Sequence, residues 1–226
     1  MVFDSAEFVR AVQSAAASSD PINAVQEVVA GEIVDGAAID SVLGTELKPE
    51  HETLISSEDL TIQRIIWLPG FGGSPHEHRM WAVVGVYAGE EVNRLYERSA
   101  DGLTECGTCV VPEREVFLLD ADAIHSVENP DRTWTAGLHV YGGDIVNVER
   151  SAWGPDGREV PFAENAGARR AMFRPMRELA TEFGTKIDDE ARYLAFTALT
   201  TETERQRRYP TPEEARQIIA AAWNLE

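Results

Sequence analysis

The stretch WLPGFGGSPHEHRMWAVVGVYAG, residues 67–89, decides the fold. It begins at the end of an apolar, β-branched run, LTIQRIIWL at residues 60–68, which reads as a strand. Pro69-Gly70-Phe71-Gly72-Gly73 then has to turn, since it concentrates the two residues that punctuate regular structure. His76-Glu77-His78 follows. Side chains alternate along an extended backbone, so the two imidazoles share a face and Glu77 points to the other. WAVVGVY, residues 81–87, is the next strand and ends at Ala88-Gly89.

Working outward, residues 92–98 (VNRLYER) alternate and run into Asp101-Gly102, a hairpin signal. Residues 116–119 and 134–141 are further strands. Short, evenly spaced strands with turn residues between them predict a β-sandwich or barrel. The flanks read differently. Phe3, Phe8, Val9 and Val12 recur at helical spacing behind Asp4 as a cap. Ser19-Asp20-Pro21 offers a cap and a first-turn proline for a second helix, with Val25, Val28 and Val29 on its apolar face. Asp35-Gly36 breaks that helix, and a short third one is expected from about Ala37 to Leu43.

Beyond residue 163, Ala171, Met172, Met176 and Leu179, then Tyr193, Leu194, Phe196 and Leu199, mark helices. A final helix is announced by Thr211 as cap, Pro212 and the acids Glu213 and Glu214, followed by Ile218, Ile219 and Trp223. These Met and aromatic stripes are expected to pack against the barrel. The reading is a mainly β protein: a helical extension over residues 1–45, a barrel over 46–162, and a C-terminal helical extension over 163–226.

The 226 residues carry 39 acidic and 20 basic side chains, a formal net charge of −19. That balance disfavours a nucleic-acid partner, which needs clustered Lys and Arg, and an anionic membrane surface. The excess is uneven: −10 over residues 1–60, −8 over 61–163 and −1 over 164–226. No run approaches the roughly 18 apolar residues of a membrane span. Met1-Val2-Phe3-Asp4 lacks the basic and apolar regions of a signal peptide, so a cytoplasmic protein is expected. Cys106 and Cys109 form one C-x-x-C pair, too few thiols for a four-ligand zinc site, and are expected to be free thiols in a turn.

Four of the five histidines, His76, His78, His125 and His139, fall in or beside the predicted strands. Neutral imidazoles side by side suit Fe, Zn, Ni or Cu. The pair lies at G-x5-H-x-H from Gly70, Gly89 comes eleven residues after His78, and His125 opens an H-x3-N run to Asn129. Together these resemble the two motifs of the cupin superfamily, small jelly-roll (double-stranded β-helix) barrels that hold a metal inside. The resemblance implies His76, His78 and His125 as ligands. Where cupins usually place a Glu ligand, this chain has Ala82 or Val83, so the implied site is three neutral histidines.

The match becomes more specific in LHVYGG, residues 138–143. With residues 67–89 and 125–129 it resembles the bacterial thiol dioxygenases, of the cysteine and 3-mercaptopropionate type, over roughly residues 50–160. That likeness implies Fe(II) as cofactor, with a small thiol and O2 as substrates. It implies a relay beside the iron ending in His139 and Tyr141, with Gly137 where the family has Ser. No Cys lies near Ala82, so no Cys–Tyr crosslink is expected. The family binds the substrate carboxylate with one Arg from either of two places. One is near His51 to Leu54, where there is no Arg and His51 stands near the expected position. The other, nine residues past Tyr141, is Arg150; Arg64 is a reserve. Three histidines and an Arg would also serve another cupin enzyme acting on a small organic acid, or a non-catalytic binder of a metal or ligand.

Overall fold

The computed structural model describes residues 2–44, 52–99 and 102–225. Three helices open the chain: α1 (Ser5–Ala16), α2 (Pro21–Glu32) and α3 (Gly36–Leu43). Asp4 caps α1 by accepting from the backbone N–H of Ala6 and Glu7, and Asp35 caps α3 through Ala38 N–H. Pro21 occupies the first position of α2. Asp20 leaves the α2 backbone uncapped and binds the Asn23 amide instead, at 2.7 Å.

Eleven strands follow: β1 (Glu52–Ser56), β2 (Thr61–Trp67), β3 (His76–Glu77), β4 (Ala82–Ala88), β5 (Glu90–Ser99), β6 (Gly102–Pro112), β7 (Val116–Leu119), β8 (Ile124–Glu128), β9 (Thr135–Tyr141), β10 (Ser151–Trp153) and β11 (Glu159–Pro161). They form two antiparallel sheets, ordered β1-β2-β9-β4-β7 and β11-β10-β3-β8-β5-β6. The pairings nest: β5 with β6, then β4 with β7, β3 with β8, and β2 with β9. Successive pairs fall in opposite sheets, as in one long hairpin rolled into a jelly roll.

Parity along β9 explains the two sides of its sheet. Leu138 and Val140 face outward and pack with Phe8, Val12, Val25, Val29, Ile33 and Ile39 of the N-terminal helices. The odd-numbered Gly137, His139 and Tyr141 therefore face the barrel interior. Arg64 is opposite Leu138 and shares its outward facing. Its guanidinium donates to Tyr87 Oη (2.6 Å) and Asp40 Oδ1 (2.7 Å), so Arg64 ties the sheet to α3 and is no reserve for an interior anion.

Two further expectations are corrected. The protein is not mainly β: among the described residues 39% are helical and 30% are in strands. Cys106 and Cys109 are free, but they lie within β6 rather than in a turn. Three residues of strand separate their Cα atoms by about 10 Å, beyond the reach of a disulfide. Helices α4 (Phe162–Phe183), α5 (Asp189–Gln206) and α6 (Pro212–Ala222) bury apolar stripes in one another and also meet the barrel side, where Phe196 lies edge-on to Phe71 at 6.4 Å. Met172, Met176, Leu179, Phe196, Leu199 and Ile219 form their shared core, to which the barrel adds Leu68.

The α6 start matches its sequence signature, with a reciprocal capping box between Thr211 and Glu214. Thr211→Ala is expected to cost about 1 kcal/mol of stability, read as a lower urea midpoint at unchanged slope. Among the described residues, no helix is long and apolar enough to cross a membrane.

Candidate metal centre

The turn before β3 sets the site. Gly70 has φ of +73°, and a Cβ there would stand 2.9 Å from the Tyr193 carbonyl of α5, so only glycine fits. The chain then descends to β3, where His76 is directly opposite His125 of β8. Alternation brings His78 to the same face. His78 Nε2 lies 3.2 Å from His76 Nε2 and 3.3 Å from His125 Nε2, and the three ligand atoms lie within 4.8 Å of one another. Glu77 points away and accepts from Arg79 (2.8 Å), Arg98 (2.9 Å) and the Ser151 N–H (3.2 Å). Those cations hold its carboxyl below the usual range against the opposing effect of burial.

The outer nitrogens of two rings are already committed. His76 Nδ1 donates to the Ser74 carbonyl at 3.0 Å, and His125 Nδ1 donates to Asn93 Oδ1 at 2.7 Å. This fixes the tautomer that leaves each Nε2 with a lone pair facing the centre. Burial, aided by the neighbouring imidazoles, holds His78 and His125 well below the usual histidine range, so both are neutral at physiological pH. Two nitrogens bound to one ion at about 2.1 Å each stand roughly 3.0–3.4 Å apart for octahedral to tetrahedral angles. The closest nitrogen spacings here, 3.2 and 3.3 Å, fit that range, so the three histidines can hold a metal ion. No carboxylate is in this group, and Ala82 occupies a buried position opposite Tyr141.

His139 and Tyr141 stand beside it. The Tyr141 ring meets the His78 ring edge-on at 5.1 Å, and its hydroxyl lies 3.5 Å from His139 Nδ1. Burial raises the phenol's pKa, so Tyr141 keeps its proton. Arg150 also comes to this place. Its guanidinium stacks on the Phe162 ring at 3.3 Å, that ring lies 5.6 Å from His76, and one nitrogen donates to the Glu77 carbonyl at 3.3 Å. Its charge is felt at His78, His125 and Tyr141. Burial lowers its pKa to about 10, which still leaves it charged at neutral pH. Among the described residues it forms no ion pair with Glu149 or Asp144. His51, the other position considered for a carboxylate-binding group, lies outside the described residues.

Sequence reasoning missed two groups. One is the support of the His76 turn by the C-terminal helices. Ser74 Oγ accepts from Asn165 (2.6 Å) and Arg169 (3.3 Å) of α4, and Tyr209 Oη lies 3.2 Å away while donating to Asn165 Oδ1 at 2.9 Å. The other is Glu91 of β5, fully buried behind the histidines.

No family model matches the chain. Among solved structures, the chain is similar to an uncharacterised conserved protein with a double-stranded β-helix domain from Klebsiella pneumoniae, at 12% identity and TM-score 0.38, over 46% of this chain and 77% of that one. It is also similar to an RmlC-like cupin family protein from Methanocaldococcus jannaschii, at 14% identity and TM-score 0.36, over 42% and 81%. A third is a cupin 2 conserved barrel domain protein from Leptotrichia buccalis, at 19% identity and TM-score 0.37, over 45% of each chain.

Proposed function

We propose that this protein is an iron-dependent dioxygenase that converts a small carboxylate-bearing thiol to its sulfinate. The observation that carries the reading is a three-histidine group, of which His78 and His125 are buried and neutral, with Arg150 beside it and no carboxylate in the group. His76, His78 and His125 would hold the ion, and Fe(II) there would supply O2 activation and a soft partner for sulfur. In the net reaction both oxygens of O2 end on sulfur. The O2 takes up all the electrons that sulfur loses, so no other reductant is required.

The chain's own side chains do the rest. Three neutral ligands leave the ion's charge uncompensated, which favours an anionic thiolate. Arg150 offers two parallel donors that match a carboxylate, and its stacking on Phe162 fixes the plane of the fork. Tyr141 places its protonated hydroxyl beside His78; with the proton directed at His139 Nδ1, the hydroxyl oxygen would face substrate as an acceptor. His78 and His125 are buried, so contacts on their side of the group act in a low dielectric.

The direct test is aerobic incubation of iron-loaded protein with cysteine, 3-mercaptopropionate and cysteamine, following O2 uptake and sulfinate. Uptake with one of the acids in step with sulfinate is expected; no uptake with any of them would sink the proposal. Asn165→Ala gives a finer check, because it removes the 2.6 Å bond that steadies Ser74. Loss of such outer support typically costs about 10-fold or more in metal retention, which a chelator competition would measure.

A further inference from the structure

We propose that Glu91 is the positioning residue that takes over the far end of the His139–Tyr141 pair, where Gly137 leaves no side chain, and at the same time orients the His125 imidazole. This deepens the dioxygenase reading and rests on it for its catalytic consequence, though not for its geometry.

Glu91 has no solvent exposure, yet it is an acid on a barrel strand. Burial of this kind is costly unless the carboxylate is well satisfied. Trp67 Nε1 donates to Oε2 at 2.6 Å, and Asn93 Nδ2 donates to Oε1 at 3.0 Å. The second bond decides which way the Asn93 amide points. Since its NH2 goes to Glu91, its carbonyl oxygen is the atom presented to His125 Nδ1. The carboxylate thus selects, through one amide, the tautomer that frees His125 Nε2 for the centre.

The same carboxylate faces the other arm of the site. Glu91 Oε2 stands 3.7 Å from His139 Nε2, across from the Nδ1 that meets Tyr141. Burial raises the Glu91 pKa against the lowering effect of its Asn93 and Trp67 donors, but both carboxyl oxygens act as acceptors; at 3.7 Å one of them is too far from His139 for a hydrogen bond yet near enough to favour the tautomer with its proton on Nε2. His139 Nδ1 is then the acceptor that holds the Tyr141 hydroxyl. The Trp67 indole, edge-on to His139 at 6.2 Å, braces the ring from the side. Position 137 does border this nitrogen: a Cβ there would lie 3.1 Å from His139 Nε2. A serine at 137 would crowd His139, whereas β5 reaches the same nitrogen with a carboxylate. One buried acid therefore sets both the ligand His125 and the pair His139–Tyr141.

The test is 15N NMR of the imidazoles in the full-length protein loaded with zinc as a diamagnetic probe, comparing wild type with Glu91→Gln, which keeps the size of the side chain. In wild type, His139 is expected as the Nε2–H form. In Glu91→Gln that preference is expected to fall by about 10-fold or more, with circular dichroism unchanged. An unchanged His139 tautomer in the variant would overturn the proposal. Glu91→Asp, which keeps the charge on a shorter arm, is expected to recover part of the wild-type spectrum; recovery no better than in Glu91→Gln would also count against it. In turnover, Glu91→Gln is expected to lower kcat by about 10–100-fold at little change in KM. A wild-type protein that consumes no O2 with thiols, yet shows the tautomer shift, would remove the dioxygenase reading and leave the role of Glu91 standing.

Discussion

Changing His125 to alanine is expected to abolish metal retention and, with it, O2 uptake. His125 is 3% exposed, its outer nitrogen is held by Asn93, and its inner nitrogen faces His78 at 3.3 Å. Losing an outer partner of a metal-bound histidine commonly costs about 10–100-fold in affinity, and losing the ligand itself costs more. The barrel should survive, since His125 contributes a small neutral ring and the strand pairing of β8 is backbone-borne. Metal content after dialysis, measured beside a thermal melt, separates the two effects. Wild type should also gain stability from added metal, about 2.7 kcal/mol at one hundred times its Kd, and His125→Ala should not. Full metal content in the variant would show that the triad is not the ligand set.

The second large effect is expected at Arg150. Arg150→Ala removes a guanidinium whose bonds to a charged carboxylate are worth about 3 kcal/mol, or roughly 100-fold in kcat/KM. The loss should fall mainly on KM for cysteine and 3-mercaptopropionate and should spare cysteamine, which has no carboxylate. Arg150→Lys should recover only part of it, because an ammonium keeps the charge without the fork. The acidic surface sharpens this expectation. With a net charge of −19, the protein repels an approaching carboxylate at long range, so attraction has to be local. Equal losses for all three thiols would mean that Arg150 supports the site's shape rather than reading the acid group.

The shared face of His76 and His78 was legible from the sequence, because one residue separates them and strand alternation aligns them, whereas the place of His125 beside them came only from the resemblance. The common facing of His139 and Tyr141 was legible from the same alternation, while their pairing beside the histidines was suggested by the resemblance. Glu91 was not, since one acid among 39 carries no signal until β5 is rolled against β8. Cys106 and Cys109 were misplaced because Gly107 and the C-x-x-C spacing look like a turn, whereas the pairing of Asn93 with Cys109 makes a strand. The stripes of α4 to α6 disclosed apolar faces but not what they would meet, and three adjacent amphipathic helices could satisfy one another. Arg64 was ambiguous until its register against Leu138 fixed which side it faces.

The nested strand pairing also has a bearing on how the protein is made. His78 and His125 are 47 positions apart, and they meet only through the pairing of β3 with β8, which lies outside the β5–β6 hairpin and the β4–β7 pair in the nested order. Contacts between such distant positions carry the entropy of a long loop and form slowly. An ion that needs all three imidazoles therefore finds no binding place on a nascent or half-assembled chain. Metallation at these three histidines would then be a late event in the life of each molecule, one that marks a barrel whose assembly has already finished.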